Sequence, residues 1–180
     1  MKIIAFAGMP CSGKSEAVKI AKQLDNPVIR MGDMVWEEVK NRGLALDEKN
    51  VGAIADQMRR DHGMDIWAKR TIDKILQNKK NNYIIIDGIR NIEEIDAFKN
   101  KLGKDFILIA ITASDITRQK RFLKRGREDD SSDIQDLRDR DKRELDWGLG
   151  SVIASADIII PNDDGIKEFK KEIKDLLSRI

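Results

Sequence analysis

The first residues able to do chemistry lie close together near the start. Gly8-Met9-Pro10-Cys11-Ser12-Gly13-Lys14-Ser15 fits G-x-x-x-x-G-K-[ST] at every fixed position. Glycines at both ends let the backbone curl until successive N–H groups point into one concavity. A helix following the loop adds unpaired first-turn donors and its dipole, both of which favour an anion. Lys14 then reaches a β- or γ-phosphate as a point charge, and the Ser15 hydroxyl can ligate Mg²⁺. The spacing predicts a cradle for the triphosphate of ATP. Cys11 sits inside that cradle, where a helix N-terminus favours its thiolate, but phosphoryl transfer needs no nucleophilic side chain and we read it as loop filler.

Further candidates lie downstream. Asp87 ends the run Ile84-Ile85-Ile86 and precedes Gly88. If that run is a strand beside the first, its carboxylate falls next to the loop and can hold Mg²⁺ directly or through water; the plainer reading is an N-cap or turn aspartate. Arg90 can reach a second phosphate, or stand exposed at a helix start. Arg30, after Val28-Ile29, faces an acceptor in this reading. Asp33 caps the next helix, or sits across the cleft as a base or substrate ligand. Trp36 is near enough to that cleft to line it, while Trp67 and Trp147 read as core or cap-lining. His62 reads as a turn or helix-end residue.

The segment 117–144 holds seven arginines and three lysines. Guanidinium suits bidentate phosphate contact, which favours Arg121, Arg125, Arg127, Arg138 and Arg140 as lid residues over ATP. Arg118 and Arg143 read as a solvated helix face with i,i+4 partners.

These residues need a scaffold. Ile3 to Ala7, Pro27 to Ile29, Tyr83 to Ile86, Phe106 to Ile111 and Ile158 to Ile160 are short, continuous apolar runs. Such runs suit strands buried on both faces of a parallel sheet. Helical periods lie between them. Ala17, Ala21 and Leu24 share a face, as do Ile92, Ile95, Phe98 and Leu102, and Ile166 to Ile180 closes the chain. The stretch from Gly32 to Asn81 carries three helical patterns, punctuated at Gly43 and near Gly63. The expectation is an α/β, P-loop NTPase three-layer sandwich with a five-stranded parallel sheet. It is one domain, residues 1–180: a core of 1–31, 82–120 and 145–180, an acceptor-binding helical insert at 32–81 and a short lid at 121–144.

Composition narrows the field. The net charge of +2 demands neither nucleic acid nor membrane. One cysteine allows no intrachain disulfide or cysteine-based zinc cluster, and suits a reducing cytoplasm. One histidine removes any multi-histidine metal site. No run reaches membrane-spanning length, and no basic region precedes a long apolar stretch at the N-terminus. A monomer or small homo-oligomer is expected.

In this order the motifs resemble the adenylate-kinase-like branch of small P-loop kinases, nearest to archaeal adenylate-kinase-related proteins, with dephospho-CoA kinase a more distant cousin. Met31-Gly32-Asp33-Met34 is similar to the family's S/T-G-D-M segment, and Asp87-Gly88-Ile89-Arg90 to its D-G-x-x-R turn. Arg127-Glu128-Asp129-Asp130 with Arg138 resembles its lid edge and return arginine, and Ala156-Asp157 to Pro161-Asn162 the strand end of dephospho-CoA kinases. The resemblance implies a lid closing over ATP·Mg²⁺. The departures fall on the acceptor side: Met31 replaces a hydroxyl residue, Trp36 stands where adenylate kinases place an arginine, and the D-G-I-R turn is a residue shorter.

The expected activity is therefore transfer of the γ-phosphoryl group of ATP to a nucleotide-like, phosphorylated small-molecule acceptor, as in a nucleoside monophosphate kinase. Lys14, Arg127, Arg138 and Asp87 are its expected catalytic set. Residues 8–15 with Arg121, Arg125 and Arg140 take the nucleotide, Ser15 and Asp87 the metal, and Arg30, Asp33, Trp36 and Arg90 the acceptor. Three other readings stand beside it: a dephospho-CoA kinase-like reaction on a hydroxyl, a P-loop switch or slow NTPase acting on a macromolecule, and an RNA-associated module.

Overall fold

The computed structural model describes residues 2–77, 83–103, 105–125 and 133–179, and all structural statements concern these. Each apolar run becomes a strand: β1 Lys2–Ala7, β2 Val28–Arg30, β3 Tyr83–Asp87, β4 Phe106–Thr112 and β5 Ile158–Pro161. They form one parallel sheet in the order β2-β3-β1-β4-β5. The period-two alternation of a strand divides β1 between two cores. Ile3, Ala5 and Ala7 join one buried cluster, and Ile4 and Phe6 the other.

Helices cover both faces. On the first lie α2 Met31–Asn41, α3 Glu48–His62, α4 Ile66–Gln77, α5 Ile92–Leu102 and α8 Leu149–Ala154. On the second lie α1 Lys14–Gln23 and α9 Ile166–Arg179. Two more helices, α6 Asp115–Arg125 and α7 Ile134–Asp146, pack on each other. The three-layer α/β sandwich with a five-stranded parallel sheet is as expected, and the three patterns between Gly32 and Asn81 are α2, α3 and α4. The short α8, six residues after Gly148 in the left-handed region, has no counterpart in the sequence reading.

Some burial differs from expectation. Leu24 caps α1 and is exposed, because the buried stripe of α1 runs through Ala17, Val18, Ile20 and Ala21. β5 is a sheet edge, so Ile159 faces outward rather than into a second layer. His62 is the exposed last residue of α3. Among the described residues no helix is long and apolar enough to cross a membrane.

The topology sets the site. β1 is central, and its two neighbours β3 and β4 lie on opposite sides. The loop after β1 therefore leaves the sheet where the strand order reverses, at the carboxyl edge where open α/β sheets bind ligands.

Candidate active site

The loop between β1 and α1 is held open by glycine. Gly8 has φ 153°, and a Cβ there would stand 2.4 Å from the Ile111 carbonyl oxygen. Gly13 has φ 111°, and its Cβ would meet Asn162 Nδ2 at 2.0 Å. Gly13 is also the N-cap of α1, so no side chain takes up the first amides of that helix. Cys11 adopts a left-handed φ of 63° within the curl. Ser12 Oγ is buried with no hydrogen-bond partner among the described residues.

The loop carbonyls are gripped from behind. Arg118 donates to the Pro10 carbonyl at 3.2 Å, and Arg121 to the Ser12 and Cys11 carbonyls at 3.0 and 3.4 Å. Asn162 Nδ2 adds a bond to the Ser12 carbonyl at 2.8 Å, while Arg121 donates to the Asn162 carbonyl at 2.7 Å. A peptide plane carries its N–H opposite its carbonyl. Donors holding these carbonyls on one side leave the Cys11 and Gly13 N–H groups to the other, while the Ser12 N–H donates to the Met9 carbonyl at 3.1 Å. Arg121, expected to take the nucleotide, lines the cavity, but its guanidinium bonds the loop itself. Arg118 is buried rather than solvated, because Asp141 of α7 binds both its terminal nitrogens, at 2.8 and 2.7 Å.

Asp87 stands where the sequence put it. β3 pairs with β1 in the register Phe6↔Asp87, which brings the carboxylate to the loop. Its Oδ1 is 3.0 Å from Lys14 Nζ, and Arg30 Nε lies 4.0 Å from Oδ2. Burial pushes the Asp87 carboxyl up, but Lys14, Arg90 and Arg30 together outweigh it and hold it below the usual carboxylate range. Burial lowers the Lys14 ammonium, against the pull of Asp87. Ser15 is exposed at the start of α1 and lines the same cavity.

From the loop a cavity of about 780 Å³ runs on between α2, α3 and α7. Beyond the loop its wall is aromatic and charged together, with Trp36, Val51, Ala55, Trp67 and Trp147 beside Glu48, Arg59, Arg140, Arg143 and Glu144. Arg30 stacks over Trp36 at 5.3 Å at the rim. Trp67 is otherwise core, and Trp147 lies 4.2 Å under the Arg59 guanidinium. Arg90 lines the cavity, but its guanidinium is engaged: Nε is 2.9 Å from Glu144 Oε2. Arg140 Nε donates to Glu144 Oε1 at 3.2 Å, and another of its nitrogens is 3.6 Å from Glu48. Arg143, expected on a solvated face, instead lines the cavity and bonds Glu48. Burial pushes the Glu144 carboxyl up, but Arg90, Arg140 and Lys14 outweigh it and hold it below the usual carboxylate range.

Beneath this lies a buried scaffold. Asn91 caps α5 by accepting from Glu94 N at 2.8 Å, and Glu94 reaches back to Arg90 N at 2.7 Å. Its other oxygen takes Arg59 at 2.9 Å. This fixes the turn that presents Arg90.

Two expected residues fall elsewhere. Asp33 does not cap: α2 already begins at Met31, which puts Asp33 in its first turn, half-exposed, 3.7 Å from Arg30 and outside the cavity lining. Arg138 is exposed on α7 and does not line the cavity, because the buried stripe of that helix runs through Leu137 and Glu144. Arg127 and the side chain of Arg125 lie outside the described residues. Sequence reasoning missed Glu144, Glu48, Glu94 and Arg59. Only Glu94 had a local signal, the N-x-x-E capping pattern of Asn91 to Glu94.

Comparison with known proteins agrees with the architecture. A family model described as an AAA domain matches residues 7–138. The UPF0200 protein of Methanosarcina barkeri is 46% identical over 178 residues, covering 99% of this chain and 95% of that protein. The UPF0200 protein of Thermoplasma volcanium is 42% identical over 175 residues, covering 97% and 96%. Among solved structures, TT1252 from Thermus thermophilus superposes with a TM-score of 0.66 at 14% identity, over 99% of this chain and 97% of that one. Shikimate kinase from Bacteroides thetaiotaomicron gives 0.55 at 14% identity, over 98% and 96%. With relatives this close along nearly its whole length and neighbours of this architecture, the chain belongs to the archaeal UPF0200 family and has the P-loop kinase fold.

Proposed function

We propose that the protein is an ATP-dependent kinase that transfers a γ-phosphoryl group to a small, nucleotide-like acceptor. The observation that carries this is one cavity that joins the phosphate loop, Lys14 and Asp87 to a wall holding Trp36, Trp67 and Trp147. The loop amides and Lys14 hold the β- and γ-phosphates. Arriving phosphates compete with Asp87 for Lys14, which exchanges one anion for another at the same ammonium. The helices α2 to α4 form the acceptor side, and the segment 121–144 the lid.

The donor set suits Mg²⁺. Ser15 and Asp87 offer a hydroxyl and a carboxylate, hard oxygen ligands that leave room for phosphate oxygens and water. Such an ion neutralises charge on the β- and γ-phosphates. The protein's own share is positioning: the loop fixes the donor, Trp36 and Trp147 the acceptor body, and closure excludes water. Arg140, on α7 and in the cavity wall, is the lid arginine we place nearest the chemistry.

The test is phosphoryl transfer from γ-labelled ATP across a panel of nucleoside monophosphates, nucleosides and dephospho-CoA. Acceptor-dependent turnover lost in Lys14→Ala supports the reading. Turnover indifferent to every acceptor, with a protein partner retained in pull-down, favours the switch reading instead.

A further inference from the structure

The acceptor end of the cavity has its positive charge already matched. Arg90 is committed to Glu144, Arg140 to Glu144 and Glu48, and Arg143 to Glu48. Glu144 is buried, its side chain 4% exposed, and it is one of the residues that wall the cavity. Its Oε2 lies 2.9 Å from Arg90 Nε, yet off the N–H direction, and it accepts no hydrogen bond among the described residues. A buried carboxylate oxygen with lone pairs to spare calls for a donor from the ligand.

A phosphate group is the wrong ligand for this place. It would bring a charge of about −1.5 to −2 beside the carboxylate. To claim Arg90 or Arg140 it would have to strip them from Glu144, stranding a buried anion. Arg30 differs. It is 41% exposed at the rim, its two carboxylate neighbours are 3.7 and 4.0 Å away, and its guanidinium lies over Trp36. Any negative charge on the acceptor is tolerated there, away from the inner end.

Resting on the kinase reading above, we infer that the acceptor presents a hydroxyl group to the γ-phosphate, and that Glu144 selects it by accepting its hydrogen bond and repelling a phosphate in that position. In the transfer the hydroxyl oxygen bonds the γ-phosphorus while the bond from that phosphorus to the β,γ-bridging oxygen breaks. ADP leaves with the electron pair, and the hydroxyl proton passes to Glu144. The alcohol becomes strongly acidic only as the new bond forms, so a carboxylate that is a weak base suffices.

Diadenosine pentaphosphate tests this, because it joins the donor to a phosphate acceptor in one molecule and forces negative charge into the inner end. Its affinity is compared with that of ATP by calorimetry, with Mg²⁺, in the wild type and in Glu144→Gln. The wild type is expected to bind it no better than ATP. In Glu144→Gln the ratio of its affinity to that of ATP is expected to rise about tenfold or more. A wild type that binds it about tenfold tighter than ATP overturns the inference without any variant, and so does a ratio that Glu144→Gln leaves unchanged. A wild type that binds neither compound is a different result: it removes the kinase reading itself.

Discussion

Arg118 and Asp141 form a two-pronged pair, 2.8 and 2.7 Å across, behind the phosphate loop. The same guanidinium holds the Pro10 carbonyl. Helix α7 thus touches the loop backbone through one arginine of α6. Asp141→Ala leaves that arginine buried without its main anion. The expected loss is about 3 kcal/mol, seen as a melting temperature about 6–12 °C lower. Nucleotide affinity should fall as well, measured with a fluorescent ATP analogue, because the Pro10 carbonyl loses its fixed donor.

Lys14→Met should reduce phosphoryl transfer by about two to three orders of magnitude, the usual cost of losing one preorganised charge donor. It also has a signature in stability. Asp87 lies below its ordinary range in the folded chain, held there by Lys14, Arg90 and Arg30 against the upward push of burial. Its stabilising contribution is therefore present above the unfolded value, about 3.9, and is lost as pH falls through the folded one. Without Lys14 the folded value rises, so acid unfolding of the variant should begin at higher pH. Denaturation midpoints across pH 2–6 are the check, roughly the span in which a carboxylate titrates.

Arg59→Met tests the buried pair under the cavity. Burial holds the Glu94 carboxyl above its usual range even with Arg59 at 2.9 Å. Removing the cation should cost about 3–5 kcal/mol at neutral pH. Adding Glu94→Leu should restore much of it. A urea double-mutant cycle measures both, and two single losses that simply add would show that the pair is not coupled.

Gly13→Ala places a Cβ on Asn162 Nδ2 and asks alanine for a φ of 111°. The fold should survive, because the collision is local to the loop. Nucleotide binding should fall about a hundredfold, a loss of about 2.7 kcal/mol. Asn162→Ala alone should weaken it less, since Arg121 still holds the Ser12 carbonyl.

Local patterns made much of this molecule readable. The apolar runs named every strand, and the loop motif named the turn that leaves the central one. Asp87 could be placed beside Lys14 because one assumption, adjacent strands, sufficed, and the register Phe6↔Asp87 meets it. The cavity wall contributed by α7 was less legible, and Glu144 shows why. An acidic residue in an arginine-rich helix reads as solvated, and only the packing of α7 against distant parts of the chain reveals otherwise, as with its partner Arg90. Arg118 is the same case, meeting a carbonyl 108 residues distant. Asp33 misled in the other direction: a good capping residue is worthless one turn late, and α2 starts without it at Met31.

The two borders of the sheet are short. β2 is three residues long, and β5 closes on Pro161, a residue with no amide hydrogen to offer. A stray chain seeking to add itself alongside Ile159 finds a template that stops within a few bonds. The protein can therefore leave Ile159 facing water without offering its own copies a long edge on which to stack into fibres.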